Sequence, residues 1–231
     1  MTALSIRAEP YEFEFDPATT AFLLIDMQRD FLEKDGFGDR MGYDVSLLRT
    51  TIRPNQAVLD CARKAGMLII HTREGFRPDL TDASPSKLNR SFKGVGLGSE
   101  GPLGRALVRG ERGHDIIEEL YPLPHEPVID KPGHGAFYAT ELNLILSNHG
   151  IKRLIVAGVT TENCIHSTVR EAKDRGYECL VLEDCVASYV PELQKAGIEM
   201  FKSQGGLLGR VSNSREVIKA REQVIATDAA D

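Results

Sequence analysis

Residues 154–171 read LIVAGVTTENCIHSTVRE, and the two halves of this stretch ask for different structures. The first half is a short, apolar, β-branched run of the kind that fills a buried strand. Gly158 then permits a tight turn, and Thr160, Thr161 and Asn163 lead into a helical pattern. Cys164 therefore falls in the first turn of a helix that begins where a strand ends. A thiol placed there faces unpaired backbone N–H groups and the positive end of the helix dipole, which favour thiolate over thiol. The same N–H groups can receive the charge that develops on a carbonyl oxygen under attack. A small, buried, inert thiol is the other reading of such a cysteine, and partners elsewhere in the chain must separate the two.

Working outward, the same strand-then-helix alternation recurs. Upstream, residues 21–25 form a continuous apolar run of the doubly covered, parallel kind, ended by Asp26. Residues 54–64 carry apolar positions at helical spacing with Gly66 as the stop, and MLIIHT is the second strand. Between residues 73 and 113 the chain is rich in Gly, Pro, Ser and charge, which marks a disordered segment or a functional lid. Residues 115–120 read as a short helix, PVIDK as a strand, and residues 140–148 as a helix. Downstream of the cysteine helix come the strand ECLVLED, a helix over residues 191–202, the short edge strand GRVSNS and a closing helix over residues 214–224. Six strands alternating with helices predict a three-layer α/β/α, Rossmann-like fold with a mainly parallel six-stranded sheet. Residues 1–18 show no periodicity and read as an extended arm, and residues 226–231 as a frayed tail. The whole reads as a single domain, which 231 residues and 42% hydrophobic composition can support.

A net charge of −6 argues against nucleic-acid and anionic-membrane surfaces, which need clustered Lys and Arg. No apolar run reaches membrane-span length and the first residues lack a signal-peptide pattern, so a cytosolic protein is expected. Cys61, Cys164, Cys179 and Cys185 have no CxxC spacing and are expected as free thiols.

In an open parallel sheet the reactive site lies beyond the carboxyl ends of the strands. Asp26, Lys131 and Cys164 all sit there. A carboxylate can take the thiol proton, and a lysine can hold and tune that carboxylate. Taken singly, Asp26 also reads as a turn cap and Lys131 as a solvated cation. Gln28 and Asp30 are candidate substrate contacts or ordinary loop hydrogen bonders. His71 lacks a second ligand at metal spacing and is expected to be buried structurally.

DMQRDF, HTREG, IDKPGHGAFYATEL and GVTTENCIHSTVREAKDRGYECLVLED together resemble the isochorismatase-like cysteine hydrolases, from about Thr20 to Ser214. The resemblance implies Asp26 as general base, Lys131 as orienting cation and Cys164 as the nucleophile that forms an acyl-thioester. It also implies a non-proline cis peptide at Val159–Thr160, aiming N–H groups at the oxyanion. Within the family the chain is most similar to biuret and triuret hydrolases, in which a glutamine matching Gln204 contacts the ureido group. Gln28, Phe31, His134 and Phe137 are the further candidate substrate contacts; His134 departs from the lysine of biuret-hydrolase-like sequences. A small neutral urea-like substrate, no cofactor, no metal and a homo-oligomer, a tetramer, follow from the resemblance. Ureidoacrylate, N-carbamoyl amino acids, a vinyl ether of the isochorismate type and a non-catalytic binding role are the alternatives.

Overall fold

The computed structural model describes residues 4–228. Near its start, Leu4–Ile6 (β1) and Phe13–Phe15 (β2) pair antiparallel. Both alternate apolar and polar residues, so Leu4, Ile6, Phe13 and Phe15 point inward and are buried. The expected arm is thus a packed hairpin. Three residues per strand is too short a run for periodicity to register in the sequence.

The main body follows as Thr20–Ile25 (β3), Arg29–Leu32 (α1), Phe37–Arg40 (α2), Val45–Arg49 (α3), Ile52–Lys64 (α4) and Leu68–Glu74 (β4). Then come Pro85–Leu88 (α5), the small hairpin Ser91–Phe92 (β5) and Val95–Gly96 (β6), Val128–Lys131 (β7), Leu142–Asn148 (α6) and Arg153–Val159 (β8). His166–Asp174 (α7), Glu178–Ala187 (β9), Pro191–Gly206 (α8), Arg210–Ser212 (β10) and Ser214–Asp228 (α9) complete it. The expected helix at residues 115–120 shrinks to a 3-10 turn at Glu118–Leu120. Helix α9 takes in residues 226–228 of the expected frayed tail, and 229–231 lie outside the described residues. No described helix is long and apolar enough to cross a membrane.

The six large-body strands form one parallel sheet in the order β10-β9-β8-β3-β4-β7. The chain starts in the middle at β3, winds outward through β4 to β7, then returns to β8 beside β3 and winds the other way. The gap between the carboxyl ends of β3 and β8 is therefore the topological switch point, where open α/β sheets make a crevice. Helices cover both faces. Phe22 and Leu24 of β3 enter one apolar core and Ala21, Leu23 and Ile25 the other, which is why the run is apolar throughout rather than alternating.

Close approach of β8 to β3 depends on Gly158. Its φ is +112°, and a Cβ there would collide with the Ile25 backbone. The β8–β9 register shifts at the same point, between Val156 and Gly158. Together these release the end of β8 into the turn that carries the cysteine.

Residues 75–113 fold over the carboxyl edge. Arg40 donates to the carbonyls of Ser99 (3.3 Å) and Glu100 (2.6 Å). Buried Asp30 accepts from the N–H of Phe37 (3.1 Å) and of Leu107 (2.9 Å). Asp30 is thus a brace between α2 and this roof, and not a substrate contact.

Candidate active site

Asp26 follows β3, Lys131 ends β7, and Cys164 lies in a wide π turn, Thr161–Ile165, between β8 and α7. Strands stand about 4.8 Å apart, so the long Lys131 side chain must reach back across β4 to meet the other two. It does so: Nζ forms an ion pair with Asp26 Oδ2 at 2.7 Å and donates to Cys164 Sγ at 3.4 Å. It also donates to the Gly133 carbonyl at 2.9 Å. Lys131 and Asp26 are completely buried and Cys164 is 4% exposed. Thr72 donates to the other oxygen of Asp26, Oδ1, at 2.7 Å.

A fourth member was not singled out in the sequence. Glu74, the last residue of β4, accepts from the Cys164 thiol at 3.5 Å through Oε2. The same oxygen is 3.8 Å from Lys131 Nζ and 3.6 Å from His134 Nδ1, while Oε1 accepts from Lys87 Nζ at 3.4 Å. The signal for it was present in HTREG: Glu74 ends a parallel strand just as Lys131 does, and the two are register partners.

Gln28 explains how Glu74 is held. Its side-chain oxygen accepts from the Glu74 N–H at 2.7 Å, and its amide nitrogen donates to the carbonyls of Glu74 (3.0 Å) and His114 (2.8 Å). Fully buried, with both amide N–H groups donated and its oxygen accepting, Gln28 positions the end of β4 and does not line the cavity.

The electrostatics follow from these contacts. Burial raises the Asp26 carboxyl above its ordinary range, with Lys131 opposing. Glu74 is held well below that range: burial works to raise it, and is outweighed by Lys131, His134 and Lys87 together. Burial works to lower the Lys131 ammonium, but its acidic neighbours Asp26, Cys164 and Glu74 carry it well above the ordinary lysine value. The Cys164 thiol is pushed up by burial and then by the Asp26 and Glu74 charges, against Lys131. This corrects the expectation of a resting thiolate. Burial and the two neighbouring carboxylates thus favour the protonated thiol over the thiolate, with Lys131 opposing.

The thiol opens onto a cavity of about 540 Å³. Glu74, His134, Thr160, Glu162 and Asn163 line it near the sulfur, and Phe31, Tyr43, Phe92 and Tyr189 form an aromatic wall. Tyr43 stacks on Tyr189 with centroids 4.8 Å apart and on Phe92 at 6.4 Å. The Val159–Thr160 peptide is cis. Val159 itself faces the core and Thr160 faces the cavity.

Two further candidates are not brought to this cavity. Phe137 is buried in the apolar core, stacked on Tyr177 at 5.8 Å, and does not line the cavity. Gln204 is exposed, with φ +52°, in the broken last turn of α8. That helix starts at the cavity with Val190 and Leu193 and must run back along the sheet to feed a parallel strand. At about 1.5 Å per residue it carries Gln204 roughly 20 Å towards the amino ends of the strands.

His71 is buried against Glu126 (3.0 Å), and His166 stacks on Phe201 (3.9 Å); both are structural. All four cysteines are free. Among the described residues, one trio brings metal-type donor atoms together, Glu74, His134 and Cys164, within 4.8 Å of one another. Its sulfur also faces the Lys131 ammonium, which competes with a cation for the same lone pairs.

The isochorismatase domain model matches residues 20–212 of this chain. Over 218 residues the chain is 30% identical to the ureidoacrylate amidohydrolase RutB of Pantoea ananatis, covering 90% of this chain and 85% of that relative. Among solved structures, a cysteine hydrolase from Pseudomonas syringae pv. phaseolicola superposes with a TM-score of 0.77 at 22% identity, covering 96% of this chain and 99% of that one. N-carbamoylsarcosine amidase from Thermoplasma acidophilum gives 0.64 at 22% identity, with 85% and 96% covered. At such identity these two likenesses speak to the fold alone.

Proposed function

The chain belongs to the isochorismatase family of hydrolases, and from that premise we propose that it is a cysteine amidohydrolase that cleaves a C–N bond of a small ureido compound. The observation that carries this reading is the buried chain of contacts from Asp26 through Lys131 to Cys164. A vinyl-ether hydrolysis needs no nucleophilic thiol, and a binding module needs no buried base beside one.

In the proposed reaction Asp26 takes the thiol proton as the sulfur attacks the substrate carbonyl, forming the C–S bond. Its raised pKa makes it the better base. Glu74 accepts the thiol's hydrogen bond, but a carboxylate held so far down is a weak base. Backbone N–H groups of the Thr160–Cys164 turn receive the charge on the oxygen. Collapse of the tetrahedral intermediate breaks the C–N bond, and Asp26 returns its proton to the departing nitrogen. Water then attacks the acyl-thioester, again losing a proton to Asp26, and the C–S bond breaks as the thiol is restored. Lys131 keeps its charge throughout and holds base and nucleophile together. Glu74 and His134 flank the sulfur and suit the N–H and C=O groups of a urea.

A ureido substrate is supported by the 30% identity to a ureidoacrylate amidohydrolase and by the polar groups around the sulfur. Biuret, triuret, ureidoacrylate and N-carbamoyl amino acids share that group. Ammonia release over a panel of biuret, triuret, ureidoacrylate, N-carbamoylsarcosine, allophanate and nicotinamide tests the reading. Turnover of at least one ureido compound, abolished in Cys164→Ser, is expected. Silence on every ureido compound would overturn it.

A further inference from the structure

We infer that Thr72 is a positioning residue that decides which oxygen of Asp26 serves as the base: it ties down Oδ1 and leaves Oδ2 to take and return the proton. The inference rests on the cysteine amidohydrolase reading and deepens the chemistry of that same site.

Thr72 lies in β4, between its register partners Ile25 of β3 and Ile129 of β7. Both Thr72 and Asp26 are completely buried. A valine has nearly the same shape and suits a buried strand as well, so the hydroxyl is what distinguishes threonine at this position. A buried hydroxyl needs a partner, and this one donates to Asp26 Oδ1 at 2.7 Å. The Thr72 carbonyl in turn accepts from the Asp26 N–H at 3.1 Å. Backbone and carboxylate of Asp26 are thus held by one residue. Asp26 has a φ of +53°, a left-handed conformation that few non-glycine residues adopt, and the paired contacts fix it there.

The two oxygens of Asp26 are consequently unlike. Oδ1 receives a charge-assisted hydrogen bond from a neutral donor that keeps its own proton throughout. Oδ2 forms the ion pair with Lys131 Nζ at 2.7 Å, and the same ammonium donates to Cys164 Sγ at 3.4 Å. Among the described residues no hydrogen bond reaches buried Oδ2, so a lone pair there stays open. The thiol proton moves to Oδ2 as the C–S bond forms, and from Oδ2 to the departing nitrogen as the C–N bond breaks. With the hydroxyl removed, only Lys131 restrains the carboxylate, and its oxygens lose their separate roles. The charged groups that face Asp26 are Lys131 from β7 and Glu74 from β4, with the Cys164 thiol beside them. Lys131 and Thr72 favour the ionised carboxylate, and of these two Thr72 acts without a charge.

The test compares Thr72→Val, which removes the donor and keeps the shape, with Thr72→Ser, which keeps the donor and loses a methyl. Two readouts are followed against pH: kcat/KM on a ureido substrate that is turned over, and the rate of Cys164 alkylation by iodoacetamide, which needs no substrate. Because the hydroxyl favours the ionised form of Asp26, its loss raises that pKa. Thr72→Val should move the acid limb of both profiles to higher pH by about one to two units. The loss in turnover should fall on kcat with KM unchanged, because Thr72 does not line the cavity. Thr72→Ser should keep the limb at its wild-type position. If Thr72→Val does not fold, Thr72→Ala removes the same donor and carries the same expectation. A limb left in place by loss of the hydroxyl, or moved as far by Thr72→Ser, overturns the role of Thr72. Absence of turnover on every ureido compound overturns the amidohydrolase reading instead, and the alkylation profile still decides on Thr72.

Discussion

The Cys164 thiol donates to Glu74 Oε2 at 3.5 Å, joining two residues 90 positions apart, while the Lys131 ammonium reaches the same sulfur at 3.4 Å. The Cys164 thiol thus sits between a cation and a second carboxylate besides Asp26. Which carboxylate serves as base decides how the enzyme responds to pH and to substitution.

Cys164→Ser keeps the shape of the side chain but replaces the thiol by a far less acidic hydroxyl. Turnover should fall by at least about a thousandfold while substrate binding persists. Wild-type ammonia release from the purified variant would remove Cys164 from the chemistry.

Asp26→Asn should lower kcat/KM by about a hundredfold to ten-thousandfold, the range for loss of a positioned base. In wild type the base must be ionised, so activity is lost as pH falls through the pKa of Asp26. Burial places that pKa above the ordinary value of 3.8. A pH–rate profile with its acid limb at or below 3.8 would contradict the assignment.

Glu74→Gln should cost about tenfold to a hundredfold in kcat/KM through lost contacts to the nucleophile and substrate. The sign of its second effect is fixed: the Glu74 charge raises Asp26, so removing it should move the acid limb to lower pH. If Glu74 were instead the base, Glu74→Gln would be as damaging as Asp26→Asn and the surviving limb would not move.

Glu126 supports the fold away from the site. It accepts from Arg63 Nε (2.7 Å) and Nη2 (2.9 Å) and from the Leu123 N–H (2.9 Å), and it contacts His71 at 3.0 Å. Burial works to raise its carboxyl, but these partners hold it well below the ordinary 4.5. A depressed carboxylate contributes stability that is present above its unfolded value and lost as pH falls below it. Glu126→Gln should cost about 1 to 3 kcal/mol at neutral pH, because it weakens charge-assisted hydrogen bonds to half-buried Arg63 and to the Leu123 N–H. In chemical denaturation the gap between variant and wild type should close in acid; a gap independent of pH would refute the linkage.

Chelators should leave activity intact, because Asp26, Lys131 and backbone N–H groups supply every step of the proposed reaction. Added zinc should inhibit, because Glu74, His134 and Cys164 converge within 4.8 Å and a thiophilic cation would occupy the nucleophile. Loss of activity on chelation with recovery on zinc would reverse the conclusion.

The sequence by itself determined the fold and marked Asp26, Lys131 and Cys164 as the polar residues at strand ends that the structure brings into contact. Continuous apolar runs at β3 and β8, helices of matching length between strands, and reactive residues at strand ends are all local signals, and local signals survive in a one-dimensional reading. Only the tertiary structure decided which residues meet. Glu74 carries the same mark as Lys131, a polar residue ending a parallel strand, but its contact with Cys164 exists only because β4 lies beside β3 and across from β8. Gln204 shows the converse. The resemblance makes Gln204 a ureido contact, whereas the residues alone read as a solvent-facing helix end, and the crossover that makes the sheet parallel leaves it exposed and away from the cavity. The charge state of Cys164 was equally out of reach, because the helix terminus is written in the neighbouring residues, whereas burial and the two carboxylates that overcome it are brought together from distant strands.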